Sequence, residues 1–161
     1  MKVADIMMGT PYCCRPESNL GSAVECMWTG NCGFLPVVGS EGKVVGIITD
    51  RDICIALGTR GLPSGQVIVA DAMSKKVWSC RPEDEVAVAL NKMCEGRVRR
   101  LPVISKEGAL VGVLSMDDVL LRADAADSGT AGSISPEDIL RAFRAINTHQ
   151  LSLVATKQAA A

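Results

Sequence analysis

Apolar residues recur along this chain in two alternating periods. Leu20, Ala23, Val24, Met27 and Trp28 fall at helical spacing, and Val86, Ala89, Leu90, Met93 and Cys94 repeat the pattern later. Each run predicts a helix with one buried stripe. Short apolar runs follow each helix, at 35–38 with 44–48 and at 101–104 with 110–114. The segments between them, GSEGK and SKEGA, are turn-forming, so each pair predicts a hairpin. A short helix (VADIM, VADAM) opens each set, and an extended stretch follows at 12–15 or 77–81. A last helix begins after Thr49 or Ser115. The order α-β-α-β-β-α lays helix faces on a sheet face, which is an α+β unit of two layers.

The two sets are copies. VADIM at 3–7 returns as VADAM at 69–73, and CRPE at 14–17 returns at 80–83. LPVV at 35–38 returns as LPVI at 101–104, and GIITDRD at 46–52 as GVLSMDD at 112–118. Every pair stands 66 positions apart, so 3–54 lies on 69–120 without a gap, with roughly a third of positions identical. Two copies are too few to stack as a solenoid, so they are expected to face each other about a pseudo-two-fold axis. The first copy takes 1–57 and the second 68–123. The Gly-, Pro- and Ser-rich stretch 58–67 reads as a linker. Residues 124–134 read as a flexible exit, 135–150 as a C-terminal helix outside the repeat, and 151–161 as a frayed tail. Ser135, Pro136 and Asp138 give that helix its start signal, and Ile139, Ala142, Phe143 and Ile146 its apolar stripe.

Composition narrows the chemistry. Hydrophobic residues make up 48% of the 161 positions and aromatics only 3%, so the core rests on aliphatic, Met and Cys side chains. The 17 Lys+Arg against 18 Asp+Glu leave no basic surplus for nucleic acid or an anionic membrane surface. No secretory leader and no membrane-length apolar run is visible, so a cytoplasmic protein is expected. Seven cysteines without a CxxC spacing read as reduced thiols at core or cleft positions. There is no GxGxxG, no phosphate-binding loop of the GxxxxGK type and no metal-ligand spacing. The single histidine, His149, has no partner suggesting catalysis. No catalytic and no metal residue is therefore assigned, and the chain is not expected to be an enzyme.

Thr49-x-x-Asp52 and Ser115-x-x-Asp118 each fit the start of a helix, where hydroxyl and carboxylate cap one another's backbone. Either one alone needs no further explanation. Both, however, follow a Gly-led apolar strand at the same repeat position. Together with VADIM, LPVV, GKVVGIITDRDI and their second-copy partners, they make residues 3–123 resemble the cystathionine-β-synthase (CBS) domain family, in the tandem form called a Bateman module. The resemblance implies a regulatory ligand containing adenosine: AMP, ADP, ATP, NAD or S-adenosylmethionine, held in clefts between the copies. It assigns Asp52 and Asp118 to the ribose hydroxyls, and Thr49 and Ser115 to phosphate or ribose. A carboxylate can accept from two vicinal hydroxyls, and a helix N-terminus suits a phosphate.

The resemblance further implies that each cleft borrows part of its base pocket from the other copy. Arg99 matches the family's phosphate-reaching position, with Arg100 beside it, for the Ser115 and Asp118 cleft. That cleft would add Tyr12, Cys32 and Gly33. The Thr49 and Asp52 cleft has Gly33 and Phe34 where its counterpart has Arg99 and Arg100. It carries Arg51 in its own motif, where the second copy has Asp117, and would add Trp78 and Val98. A solvated cluster remains open for Arg97 and Arg100, and plain packing for Tyr12 and Trp78. The two sites are expected to differ in affinity or preference. The expected function is a stand-alone sensor of adenine nucleotides that signals to a separate effector protein, as a homodimer offering Trp28. A structural module without ligand, or a cysteine-based redox or metal sensor, is the alternative.

Overall fold

The computed structural model describes residues 1–123 and 134–158, with side chains through residue 148. The expected exit (apart from its last residue), the His149 side chain, the side chains of the tail and residues 159–161 lie outside the described residues. The elements run α1 (Leu20–Thr29), β1 (Phe34–Val38), β2 (Val44–Thr49), α2 (Asp50–Arg60), α3 (Val86–Gly96), β3 (Arg100–Ile104), β4 (Leu110–Ser115), α4 (Met116–Ala123) and α5 (Pro136–Gln158). The two opening segments form single 3-10 turns, Val3–Asp5 and Val69–Asp71, rather than α-helices. Residues 58–67 are only partly a connection. α2 continues to Arg60 and ends on left-handed Gly61, a further 3-10 turn spans Ser64–Gln66, and Val67 is buried. Helix α5 passes residue 150, where the sequence pattern ended it.

Two two-stranded sheets result, β1 with β2 and β3 with β4. In the first, Phe34 faces Thr49 and Leu35 faces Ile48 in antiparallel register. Pro36 sits inside β1 because only its carbonyl is needed there. It accepts from the Cys14 N–H at 3.1 Å, and Pro102 accepts from Cys80 at 3.2 Å in the same way. The extended stretches therefore run alongside the strands as isolated parallel bridges, Cys14 to Val37 and Cys80 to Val103.

The chain divides into two compact units. One comprises Gly9–Val77 and Ile104–Gly112, and the other Met1–Met8, Trp78–Val103 and Val113–Ala161. In the first, Leu20, Leu35 and Ile48 are fully buried, with Val37, Val67 and Val69 around them. Each such aliphatic side chain contributes about 1.5–3 kcal/mol by leaving water. In the second, Met93, Leu101 and Leu114 play the same part, and α5 packs along α3 with Ile139, Ala142 and Ile146 buried.

The units are not the sequence copies. Each contains the opening segment of the other copy. Val69 and Ala70 donate to the carbonyls of Ser18 and Pro16, and Ser74 exchanges hydrogen bonds with Ile47 at 2.8 and 2.9 Å. Sixty-six residues away, Val3 and Ala4 donate to Asp84 and Pro82, and Met8 exchanges hydrogen bonds with Val113 at 2.9 and 3.0 Å. This explains the leading glycine of GIITDRD. A Cβ on Gly46 would come within 2.7 Å of the Met73 sulfur and 2.9 Å of the Ser74 carbonyl.

Candidate functional site

The strand-to-helix junction of each copy is built the same way. Thr49 keeps extended backbone, φ −119° and ψ 161°, and caps α2. Its N–H and hydroxyl both donate to Asp52 Oδ2, at 2.9 and 2.7 Å, and its hydroxyl oxygen accepts from the Asp52 N–H at 3.2 Å. Ser115 and Asp118 repeat this with 2.7, 2.6 and 3.2 Å. The capping function is therefore complete in both copies, and it restricts what the same atoms can offer a ligand. Oδ2 already accepts two hydrogen bonds, which fills its two lone pairs. Oδ1 of Asp52 and of Asp118 makes no hydrogen bond among the described residues. Each hydroxyl proton points at its carboxylate, so Thr49 and Ser115 keep acceptor capacity rather than a donor for phosphate.

The first helical turn differs between the copies. Asp50 N–H donates to the Gly33 carbonyl at 3.2 Å, and its repeat equivalent Met116 donates to the Arg99 carbonyl at 3.0 Å. Met116 is buried, whereas Asp50 is exposed and lays its carboxylate against Gly33, where any Cβ would collide with it. Asp50 Oδ1 also accepts from the Arg51 N–H at 2.7 Å. The equivalent Asp117 N–H has no hydrogen-bond partner among the described residues. Arg100 approaches Asp117 at 3.9 Å, and Arg99 and Arg51 are exposed. Asp50 escaped the motif-based reading, although the Asp-for-Met exchange across the repeat was its visible signal.

The aromatic candidates sit on glycines of their own copy. A Cβ on Gly30 would come within 2.6 Å of the Tyr12 ring, and one on Gly96 within 2.7 Å of the Trp78 ring. These two glycines are also repeat equivalents. The next residues, Asn31 and Arg97, take left-handed backbone, φ 45° and 52°, which turns the chain out of α1 and α3 toward the strands. Cys32 and Val98 follow, donating to Met27 and Met93. Thr49, Arg51, Asp52, Cys32, Gly33 and Tyr12 thus belong to one compact unit, and Ser115, Asp118, Val98, Arg99, Arg100 and Trp78 to the other.

Cys14 and Cys80 are buried, and burial pushes both thiols up to about 12. They remain protonated and unreactive at neutral pH. No group of three or more His, Cys, Asp or Glu side chains suited to a metal exists among the described residues. No described helix is long and apolar enough to cross a membrane.

The family model for the CBS domain matches residues 3–59 and 69–124. An uncharacterized 17.7 kDa protein of Acidianus ambivalens is 36% identical over 118 residues, covering 73% of this chain and 70% of that one. Inosine-5′-monophosphate dehydrogenase of Methanocaldococcus jannaschii is 32% identical over 121 residues, which is 75% of this chain but only 23% of the enzyme. Among solved structures, the CBS domain pair of protein MJ0100, in complex with 5′-methylthioadenosine and S-adenosyl-L-methionine, aligns with TM-score 0.70 and 24% identity over 78% of this chain and 97% of that one. CBSX2 in complex with AMP aligns at 0.67 and 23%, over 77% and 96%. Hypoxic Response Protein I with two coordinated zinc ions aligns at 0.69 and 29%, over 75% and 98%.

Proposed function

The chain belongs to the CBS domain family, with the domain present twice, and from this we propose that it is a regulatory module binding adenosine-containing ligands at its two strand-to-helix junctions. The observation that carries this reading is the free Oδ1 of Asp52 and of Asp118, held at a helix start by a capping box formed twice. One carboxylate oxygen has two lone pairs, enough to accept from both vicinal hydroxyls of a ribose. The ligands named in the MJ0100 and CBSX2 structures support an adenosine moiety as the common element. Phosphate, where present, falls to Arg99 and Arg100 at the second junction and to Arg51 at the first. Tyr12, Trp78, Cys32, Gly33 and Val98 complete the base surroundings in this reading. The module is cytoplasmic, has no catalytic function, and passes its signal to an effector protein. It works as a homodimer.

Calorimetric titration with AMP, ATP, NAD and S-adenosylmethionine tests the proposal. At least one should bind, and Asp52→Ala and Asp118→Ala should each remove one class of site. Lack of binding by all four, or affinities unchanged in both variants, would overturn it and favour a structural module.

A further inference from the structure

The two junctions differ at several positions that bear on charge: Asp50 stands where the second copy has Met116, Arg51 where it has Asp117, and Gly33 and Phe34 where it has Arg99 and Arg100. A helix start exposes N–H groups that no helical carbonyl reaches, and these attract anions. At α4 the Asp117 N–H is open, and Arg99 and Arg100 stand on the adjoining strand side. At α2 the matching Arg51 N–H is already taken by the Asp50 carboxylate at 2.7 Å. That same carboxylate covers Gly33, the repeat equivalent of Arg99. Asp50 has no ion-pair partner among the described residues. The position that carries Arg99 in the second copy is therefore faced, in the first, by a carboxylate without an ion pair. Resting on the ligand reading above, we propose that Asp50 is a specificity residue: its carboxylate stands in for an anion at the α2 start and reserves the Thr49 and Asp52 site for adenosine compounds that are neutral or cationic at the 5′ position, such as thioether or sulfonium nucleosides, while 5′-phosphates are directed to the Ser115 and Asp118 site.

Two features strengthen this over ordinary helix-start preference. An acid in the first turn commonly serves the helix dipole alone. Here the carboxylate also fills the space that Gly33 leaves, and only a residue without a side chain permits that placement. The guanidinium of Arg51, the remaining cation of that junction, is exposed and makes no ion pair with Asp50 among the described residues.

Titrations of the full chain with AMP and with 5′-methylthioadenosine, in wild type, Asp50→Asn and Asp50→Ala, test the proposal. Asparagine removes the charge and keeps the shape, and alanine also releases the Arg51 N–H. The weaker AMP site should tighten by about threefold to tenfold in both variants, the range expected for one like charge at short distance in partly screened surroundings. Affinity for the thioether nucleoside should stay within about twofold, because that ligand carries no charge to be repelled. An unchanged weaker AMP site, or equal tightening for both compounds, would overturn the assignment of Asp50 while leaving the nucleotide reading intact. Failure of the wild type to bind either compound would remove the nucleotide reading and this inference together.

Discussion

Asp52 serves its helix with one carboxylate oxygen and leaves the other free, and Asp118 does the same. The cap and the proposed ligand anchor therefore fall on different atoms of one side chain and do not compete for it. The hydroxyl of Thr49 contributes only to the cap. Thr49→Ala should lower stability by about 0.5–2 kcal/mol, the usual effect of losing an N-cap, measured by urea unfolding. It should weaken ligand binding much less than Asp52→Ala does, because Oδ1 remains in place. Equal loss of affinity in the two variants would mean that the hydroxyl turns toward the ligand. The motif itself was legible from sequence, because spacing and residue type are what a capping box requires. The division of labour between oxygens was not, since it depends on which lone pair each N–H reaches. Asp50 was overlooked for a related reason. Its significance comes from Gly33, seventeen residues earlier, and no local pattern joins the two.

The opening segments show how a few backbone hydrogen bonds tie down an element too short to hold itself. Val3–Asp5 is a single turn, and its anchor is the Asp84 and Glu85 corner. Lys2 pairs with Glu85 at 2.7 Å, and the Met1 ammonium joins at 3.2 Å. The hydrogen bond from Lys2, then that from the N-terminus, hold the Glu85 carboxyl below its ordinary value of 4.5. Burial would raise Asp84, but Lys92 at 2.9 Å and the Arg81 N–H outweigh it and hold that carboxyl below 3.8. Both acids are depressed on folding, so both protect the segment above their unfolded values and cease to do so as pH falls through their folded ones. Hydrogen exchange at Val3 and Ala4 should therefore accelerate below about pH 4 relative to core amides. Glu85→Gln should move part of that acceleration to neutral pH. An acid response identical in wild type and Glu85→Gln would remove Glu85 from this role. Sequence periodicity placed α1, both hairpins and α3 within a residue or two, because a buried stripe must follow the period of its element. It overstated the opening helices, since three residues anchored from outside leave no periodic trace.

For the molecule as a whole, the gapless repeat made the duplicated fold readable. The repeat equivalence also marks what is uneven. Helix α3 is covered by α5, but among the described residues its counterpart α1 has no comparable helix packed along it and shows Trp28 at 87% and Val24 at 44% exposure. A second copy of the chain is the occupant that the homodimer reading places there. Sedimentation should then find a dimer for the wild type and a shift toward monomer for Trp28→Glu, with thermal unfolding of the chain preserved. A wild-type monomer at the same concentration would exclude a dimer built on α1. The composition of the units was hidden from sequence altogether, because an exchange of two equivalent segments leaves every motif in its expected place. That exchange also sets an order of assembly during synthesis. Leu20, Leu35, Ile48 and Val69 can gather once residue 77 has left the ribosome, with only the second hairpin's turn still to come. Met8 must wait for Val113. Val3 likewise waits for Asp84, and until each partner is made the opening segment carries unpaired backbone groups that a folding chain must keep from strand edges.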